Sequence, residues 1–174
     1  MINATTINTP AGPLSVLADG ETVVAAGFTA DVDRLFTRLP AKAQSQGYET
    51  VADLGATTKA VLRWLDGDLA ALGEIPVAQA GSSYQQAIWE QLTAVPTGQT
   101  ATYGQLATRA GRPLAARAAG SACGANLVAP FVPCHRAVRS GGALGGYEYG
   151  LEVKRWLLDH ESQGSKRLRA DLVG

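Results

Sequence analysis

Residues 102–126 read TYGQLATRAGRPLAARAAGSACGAN, and this stretch decides the architecture. Helix-forming residues run from Thr102 to Ala110 and Gly111 breaks the run. A second helix follows with Pro113 in its first turn, where a missing N–H costs nothing. Two short helices joined by a glycine-containing turn form a helix-turn-helix candidate. At about 100° per residue, Arg117, Gly120, Ser121 and Gly124 share one face of the second helix. Ala115, Ala119, Ala122 and Cys123 lie opposite. One face is therefore nearly bare except for a single cation. Two readings fit: tight packing against a neighbouring helix, or close approach to a nucleic acid with one arginine reaching toward it. A bare face suits a narrow groove better than base-specific readout.

Upstream, SSYQQAIWEQLTAVPTG opens with a serine cap at Ser82 or Ser83 and a glutamine at the capping-box position. Pro96 and Gly98 close that helix. Downstream, Val132–Arg136 reads VPCHR and holds one of two cysteines and one of two histidines in the chain. Most free cysteines are small buried hydrophobes, but a Cys–His pair also suits thiolate formation. On an extended backbone, adjacent side chains point to opposite sides. Direct contact between Cys134 and His135 thus needs a turn here, or a bridging water. The same adjacency disfavours a cysteine hydrolase, whose histidine comes from elsewhere in the chain.

LEVKRWLLDHE, from Leu151, has the pattern of an amphipathic helix with Val153, Leu157 and Glu161 on one face and Trp156 and His160 beside them. A carboxylate on that stripe either needs a partner, for which a histidine beside a reactive thiol is suited, or stands at a frayed helix end and reaches water. The intervening SGGALGGYEYG is a glycine-rich loop suited to form one wall of a pocket.

The N-terminal part reads as strands TTINTP, GPLSVLAD and TVVAAGFT, with a hairpin turn at Asp19-Gly20. Two helical patterns follow, ADVDRLFTRL and TTKAVLRWLDGDL, the second with Val61, Leu62, Leu65 and Leu69 at helical spacing. EIPVAQAG reads as a short strand and linker. The expected organisation is an N-terminal α/β domain at 1–78, a C-terminal domain at 82–162 and a polar tail at 163–174. The fold class is α+β.

Composition sets outer bounds. With 174 residues, 46% hydrophobic and 17% charged, the chain is an ordinary globular protein. No run of about 18 apolar residues occurs, and MINATTINTPAGPLSV lacks the basic start and apolar block of a signal peptide. A cytoplasmic protein without membrane partners is expected. The two cysteines and two histidines lack zinc-ligand spacing, so no metal is expected. Residues 1–96 carry five basic and ten acidic side chains, whereas 97–174 carry ten basic and five acidic. That asymmetry points the C-terminal half toward an anion, with attraction between the halves as the alternative.

Together, VPCHRAV, GGALGGY, GLEVKRWLLDHE, AARAAGSACGAN and SSYQQAIWEQLTAVPTGQTATYGQLA resemble the O6-alkylguanine-DNA alkyltransferase family, continuously from about Ser82 to Glu161. The resemblance implies a small RNase H-like N-terminal sheet with helices, then a winged helix-turn-helix-type domain. It also implies a monomer that needs no cofactor and binds double-stranded DNA containing O6-alkylguanine through the minor groove, flipping the base. Cys134 would take the alkyl group irreversibly, one lesion per molecule. His135 would deprotonate Cys134 through a water, with Glu161 holding the imidazole. Tyr103 would donate to a guanine ring nitrogen. Arg117 would fill the gap in the stack, and Asn126 would serve as hinge. Tyr147 would pack near the alkyl group, and backbone groups of Cys134, Ala137 and Glu148 would meet the guanine edge. The chain departs from the family's pattern at Glu148 and Tyr149, where a small residue and a glycine are usual, and at Leu127, where proline is common. Tyr149 at the pocket rim bears on which alkyl groups fit. A lesion-binding relative without transfer activity is the alternative, and Cys134 argues against it.

Overall fold

The turn at Asp19-Gly20 forms as expected, with Gly20 at φ +61°, the left-handed region that glycine enters without penalty. It joins β2 (Gly12–Asp19) to β3 (Thr22–Gly27) in an antiparallel pair whose register shifts between Leu17 and Ala18. A computed structural model of the chain describes residues 1–173, with side chains as far as Gln163. Two units are distinguished: residues 1–80 with 127–131, and residues 81–126 with those from 132 onward.

In the first unit, β1 (Ile2–Thr9) pairs antiparallel with β2 and parallel with β4 (Tyr48–Thr50), giving the order β3-β2-β1-β4. The three residues of β4 carry no pattern long enough to announce a strand. Of the helix expected over ADVDRLFTRL, the structure forms the short α1 (Val32–Phe36), and a further short helix, α2 (Ala41–Gln44), follows with Pro40 as its N-cap. Ile2, Ala4, Leu17, Ala25, Leu35, Leu39 and Leu127 form the core cluster. Helix α3 (Ala56–Leu65) buries Thr57, Ala60, Val61 and Trp64. Leu62, expected on the apolar stripe, is 52% exposed, because Trp64 rather than Leu62 flanks Val61 on the buried face.

The 127–131 segment belongs to this unit through its backbone. Leu127 O accepts from Ala26 N at 2.8 Å, and Leu127 N donates to Gln79 Oε1 at 2.9 Å. A proline at 127 would lack that N–H and could not make the bond to Gln79.

The second unit starts with α4 (Ser83–Ala94), whose cap is Ser82 with Gln85 completing a capping box. Strand β5 (Ala101–Thr102) leads into α5 (Tyr103–Arg109), where Thr102 and Gln105 form a second capping box. Helix α6 (Ala116–Gly124) starts after Pro113, not around it. Ala115 N donates to Arg112 O in the turn before the helix, so the proline belongs to the turn. Ala119, Ala122 and Cys123 are buried on α6 while Arg117, Ser121 and Gly124 are exposed, the two-faced pattern read from sequence. Trp89 Nε1 donates to Ala122 O at 2.8 Å and Tyr84 Oη to Ala115 O at 3.2 Å, tying α6 to α4. Strand β6 (Ala137–Val138) pairs in parallel with β5, and α7 spans Leu151–Val173. The side chains of the expected polar tail beyond Gln163 lie outside the described residues. The α+β class holds: a small sheet with several helices.

Candidate active site

The two-residue ladder of β5 and β6 brings the site together. Ala101 pairs with Ala137 and Thr102 with Val138. Tyr103 follows one strand, the Cys134–Arg136 turn precedes the other, and Arg139 follows it. That turn is a single 3-10 turn, with Cys134 N donating to Val132 O and Arg136 N to Pro133 O. It replaces the extended geometry that would have sent adjacent side chains to opposite sides.

Cys134 lines a cavity of about 360 Å³ together with Tyr103, Asn126, Tyr147, Glu148 and Tyr149, within the usual size of small-ligand sites. Cys123 and the bare positions Gly120 and Gly124 of α6 line it too, so the small-residue face of that helix opens onto the thiol. Four sequence-expected residues stand apart from the lining: the buried pair His135 and Glu161, and Arg117 and Ala137. Arg117 is exposed on the same helix face. Ala137 is buried, and its carbonyl accepts from Lys154 Nζ at 2.7 Å.

His135 and Glu161 meet as read from sequence: His135 Nε2 lies 2.7 Å from Glu161 Oε1, with both side chains buried. Arg136 completes the cluster. Its Nη2 donates to Glu161 Oε1 at 2.8 Å, its Nε to Oε2 at 3.0 Å, and its Nη1 to Val95 O at 2.7 Å. Burial alone would raise the Glu161 carboxyl, but hydrogen bonds from His135 and Arg136 and the charge of Arg136 hold it down to about 2. Burial lowers the His135 pKa against the pull of Glu161, leaving a neutral imidazole. An ionised carboxylate only accepts, so Nε2 carries the proton and Nδ1 presents a lone pair. Nδ1 is buried and has no hydrogen-bond partner among the described residues.

Burial pushes the Cys134 thiol up, opposed by a hydrogen bond from the Asn126 side chain and by the charge of Lys154. Asn126 also donates from Nδ2 to Val132 O at 2.8 Å, clasping the two ends of the 127–131 excursion. Burial raises Cys123 to about 12, which marks it as a protonated wall residue.

Lys154 was not singled out from sequence. It is fully buried on α7, where Lys154, Leu157 and Glu161 form the inner face in place of the expected Val153 stripe. Its ammonium donates to the carbonyls of Ala137, Leu144 and Gly146, pinning the glycine-rich loop. Burial raises the pKa of the Tyr103 hydroxyl, and the backbone of Gly146 on that loop opposes the shift. A Cβ at Gly145 would fall 2.7 Å from Tyr103 Oη, so only glycine admits the contact. Tyr147 and Tyr149 meet edge-on, with ring centroids 5.8 Å apart, and the Tyr147 hydroxyl is buried without a hydrogen-bond partner among the described residues.

Comparison with known proteins places this arrangement. A family model described as "6-O-methylguanine DNA methyltransferase, DNA binding domain" matches residues 83–163. The methylated-DNA–protein-cysteine methyltransferase of Salmonella typhimurium is 39% identical over 158 residues, covering 89% of this chain and 92% of that one. The chain belongs to the methylated-DNA–protein-cysteine methyltransferase family. The family member of Haemophilus influenzae is 34% identical over 155 residues, covering 87% of this chain and 82% of its own length. Among solved structures, the O6-methylguanine methyltransferase of Mycobacterium tuberculosis matches with a TM-score of 0.76 at 28% identity, covering 94% of each chain. The same organism's OGT in complex with DNA matches with a TM-score of 0.78 at 28% identity, over 93% of this chain and 94% of that one. For this methyltransferase, no described helix is long and apolar enough to cross a membrane.

Proposed function

We propose that this chain repairs DNA by direct reversal, moving the alkyl group from O6 of guanine onto Sγ of Cys134 in a single irreversible turnover. The observation that carries this reading is the buried His135 Nδ1, an unpaired acceptor in the residue next to the nucleophile, with Nε2–H committed to Glu161. A water between Sγ and Nδ1 passes the thiol proton to the imidazole, and Glu161 stabilises the imidazolium. The thiolate attacks the alkyl carbon in line. The S–C bond forms as the C–O bond breaks, and the electron pair leaves on the guanine oxygen. Tyr103 donates to a ring nitrogen of the departing base. A thioether does not reverse, so each molecule serves once.

The target oxygen is inaccessible inside a duplex, so the nucleotide must be extruded into the cavity. Arg117 fills the gap in the stack from the bare face of α6, with α5 and α6 acting as a helix-turn-helix of winged type in the minor groove. Asn126 holds Cys134 and acts as the hinge. Tyr147 packs on the alkyl group, Tyr149 closes the rim, and the Glu148 backbone meets the guanine edge. The first unit is of RNase H-like type, and the protein works as a cytoplasmic monomer. DNA as partner is supported by the related M. tuberculosis OGT, solved with DNA.

The test compares the wild type with Cys134→Ser on duplex DNA carrying O6-methylguanine. The reading expects methyl loss from the wild-type reaction's DNA, and lesion binding without loss for the variant. Methyl loss by the variant would overturn it.

A further inference from the structure

Two charged side chains line the Cys134 cavity, Arg139 and Glu148. Arg139 is the first residue after β6, and the register Thr102↔Val138 carries Tyr103 and Arg139 out of the ladder side by side. Its backbone is held in a tight turn, with Arg139 N donating to Ala143 O at 2.9 Å and Gly142 N to Arg139 O at 3.1 Å. Its guanidinium is exposed and makes no ion pair among the described residues, unlike Arg136, whose charge is spent on Glu161. Lys154, the other nearby cation, is buried on three loop carbonyls. The cavity thus has one cation with donors to spare, and it stands beside the tyrosine assigned to the base.

We propose that Arg139 is a subsite for the backbone phosphate of the extruded nucleotide, a role resting on the alkyl-transfer reading above. When a base occupies the cavity, its sugar and phosphate remain at the mouth. A guanidinium there meets the phosphate oxygens through paired N–H donors. Glu148 on the same lining repels an anion and confines the phosphate to the Arg139 side. Arg117 and Arg139 then have separate tasks: the first answers the hole left in the duplex, the second holds the nucleotide that has left it. Arg139 therefore acts on single-stranded substrate too, where there is no stack to fill.

The experiment measures the rate of Cys134 methylation, by intact mass, with two substrates: O6-methyl-2′-deoxyguanosine and a short single-stranded oligonucleotide containing it. Wild type, Arg139→Gln and Arg139→Lys are compared. The expected result is a ratio of oligonucleotide to nucleoside rates that falls about tenfold in Arg139→Gln. Arg139→Lys recovers part of it as a point charge without the fork. In Arg139→Gln the salt dependence of the oligonucleotide reaction weakens by roughly one phosphate contact. An unchanged ratio, including equal losses on both substrates, would overturn the phosphate role. Absence of methylation in the wild type with either substrate would instead overturn the alkyl-transfer reading, so the two failures are distinguishable.

Discussion

His135 Nε2 sits 2.7 Å from Glu161 Oε1, and this buried contact decides which ring nitrogen of the histidine holds the proton. With Arg136 on the same carboxylate, Glu161 stays ionised and His135 stays neutral, with the lone pair on Nδ1. Base strength, orientation and stability at the site therefore depend on one carboxyl group.

That group makes stability depend on acid. The Glu161 carboxyl titrates near 4.5 when unperturbed and near 2 in the folded protein. A depressed folded pKa stabilises the fold above the unfolded value and loses that contribution as pH falls toward the folded one. The loss amounts to about 3 kcal/mol between those limits. Chemical denaturation of the wild type and Glu161→Gln at neutral pH and near pH 3 measures it. The difference in stability between the two should shrink in acid, and parallel profiles would contradict the assignment. Glu161→Gln should also slow methyl transfer on the order of 100-fold.

The Cys134 thiol is raised by burial, so its thiolate is a minority species at neutral pH. Alkylation of Cys134 by iodoacetamide in the free protein should keep rising with pH beyond the range of an ordinary thiol. Lys154→Met removes the cation that opposes the shift, so its curve should move to still higher pH. Freed loop carbonyls should also lower stability by roughly 2–4 kcal/mol. A Lys154→Met curve superimposed on the wild type would show that the lysine only braces the loop.

Gly145→Ala should displace Tyr103, because the added Cβ would meet its hydroxyl at 2.7 Å. The φ of +71° adds a strain of about 1 kcal/mol. Transfer should fall far more than that penalty implies, while Cys134 keeps its reactivity toward iodoacetamide. Loss of both would place the damage at the thiol instead.

Tyr149→Gly removes a ring that lines the cavity edge-on to Tyr147. The variant should accept bulkier O6-alkyl groups, read as a higher rate with O6-benzylguanine relative to O6-methylguanine. An unchanged ratio would mean the ring does not limit the pocket.

Much of this was legible in the sequence because it rests on local chemistry. The Ser82/Gln85 cap, the Asp19-Gly20 hairpin and the two faces of α6 follow from short-range rules that the structure obeys. The His135–Glu161 pairing was legible because a carboxylate on an apolar stripe demands a partner. Lys154 was not, since lysine is the residue type least expected in a core, and its acceptors are loop carbonyls that leave no trace in side-chain pattern. The Val153 stripe was misjudged for the same reason: a buried lysine turns the inner face of α7 away from hydropathy. Arg136 was read only as part of VPCHR, because its partners at Val95 and Thr97 come from a distant stretch of chain. Pro113, expected in the first turn of the second helix, belongs instead to the turn before it, where Ala115 N donates to Arg112 O.

The most direct measurement is the intact mass of the protein, with peptide mapping, after incubation with excess duplex DNA containing O6-methylguanine. The expected result is a single added methyl group per molecule, located on Cys134 and not exceeded however much DNA is supplied. An unmodified protein, or a methyl group on any other residue, would contradict Cys134 as the acceptor.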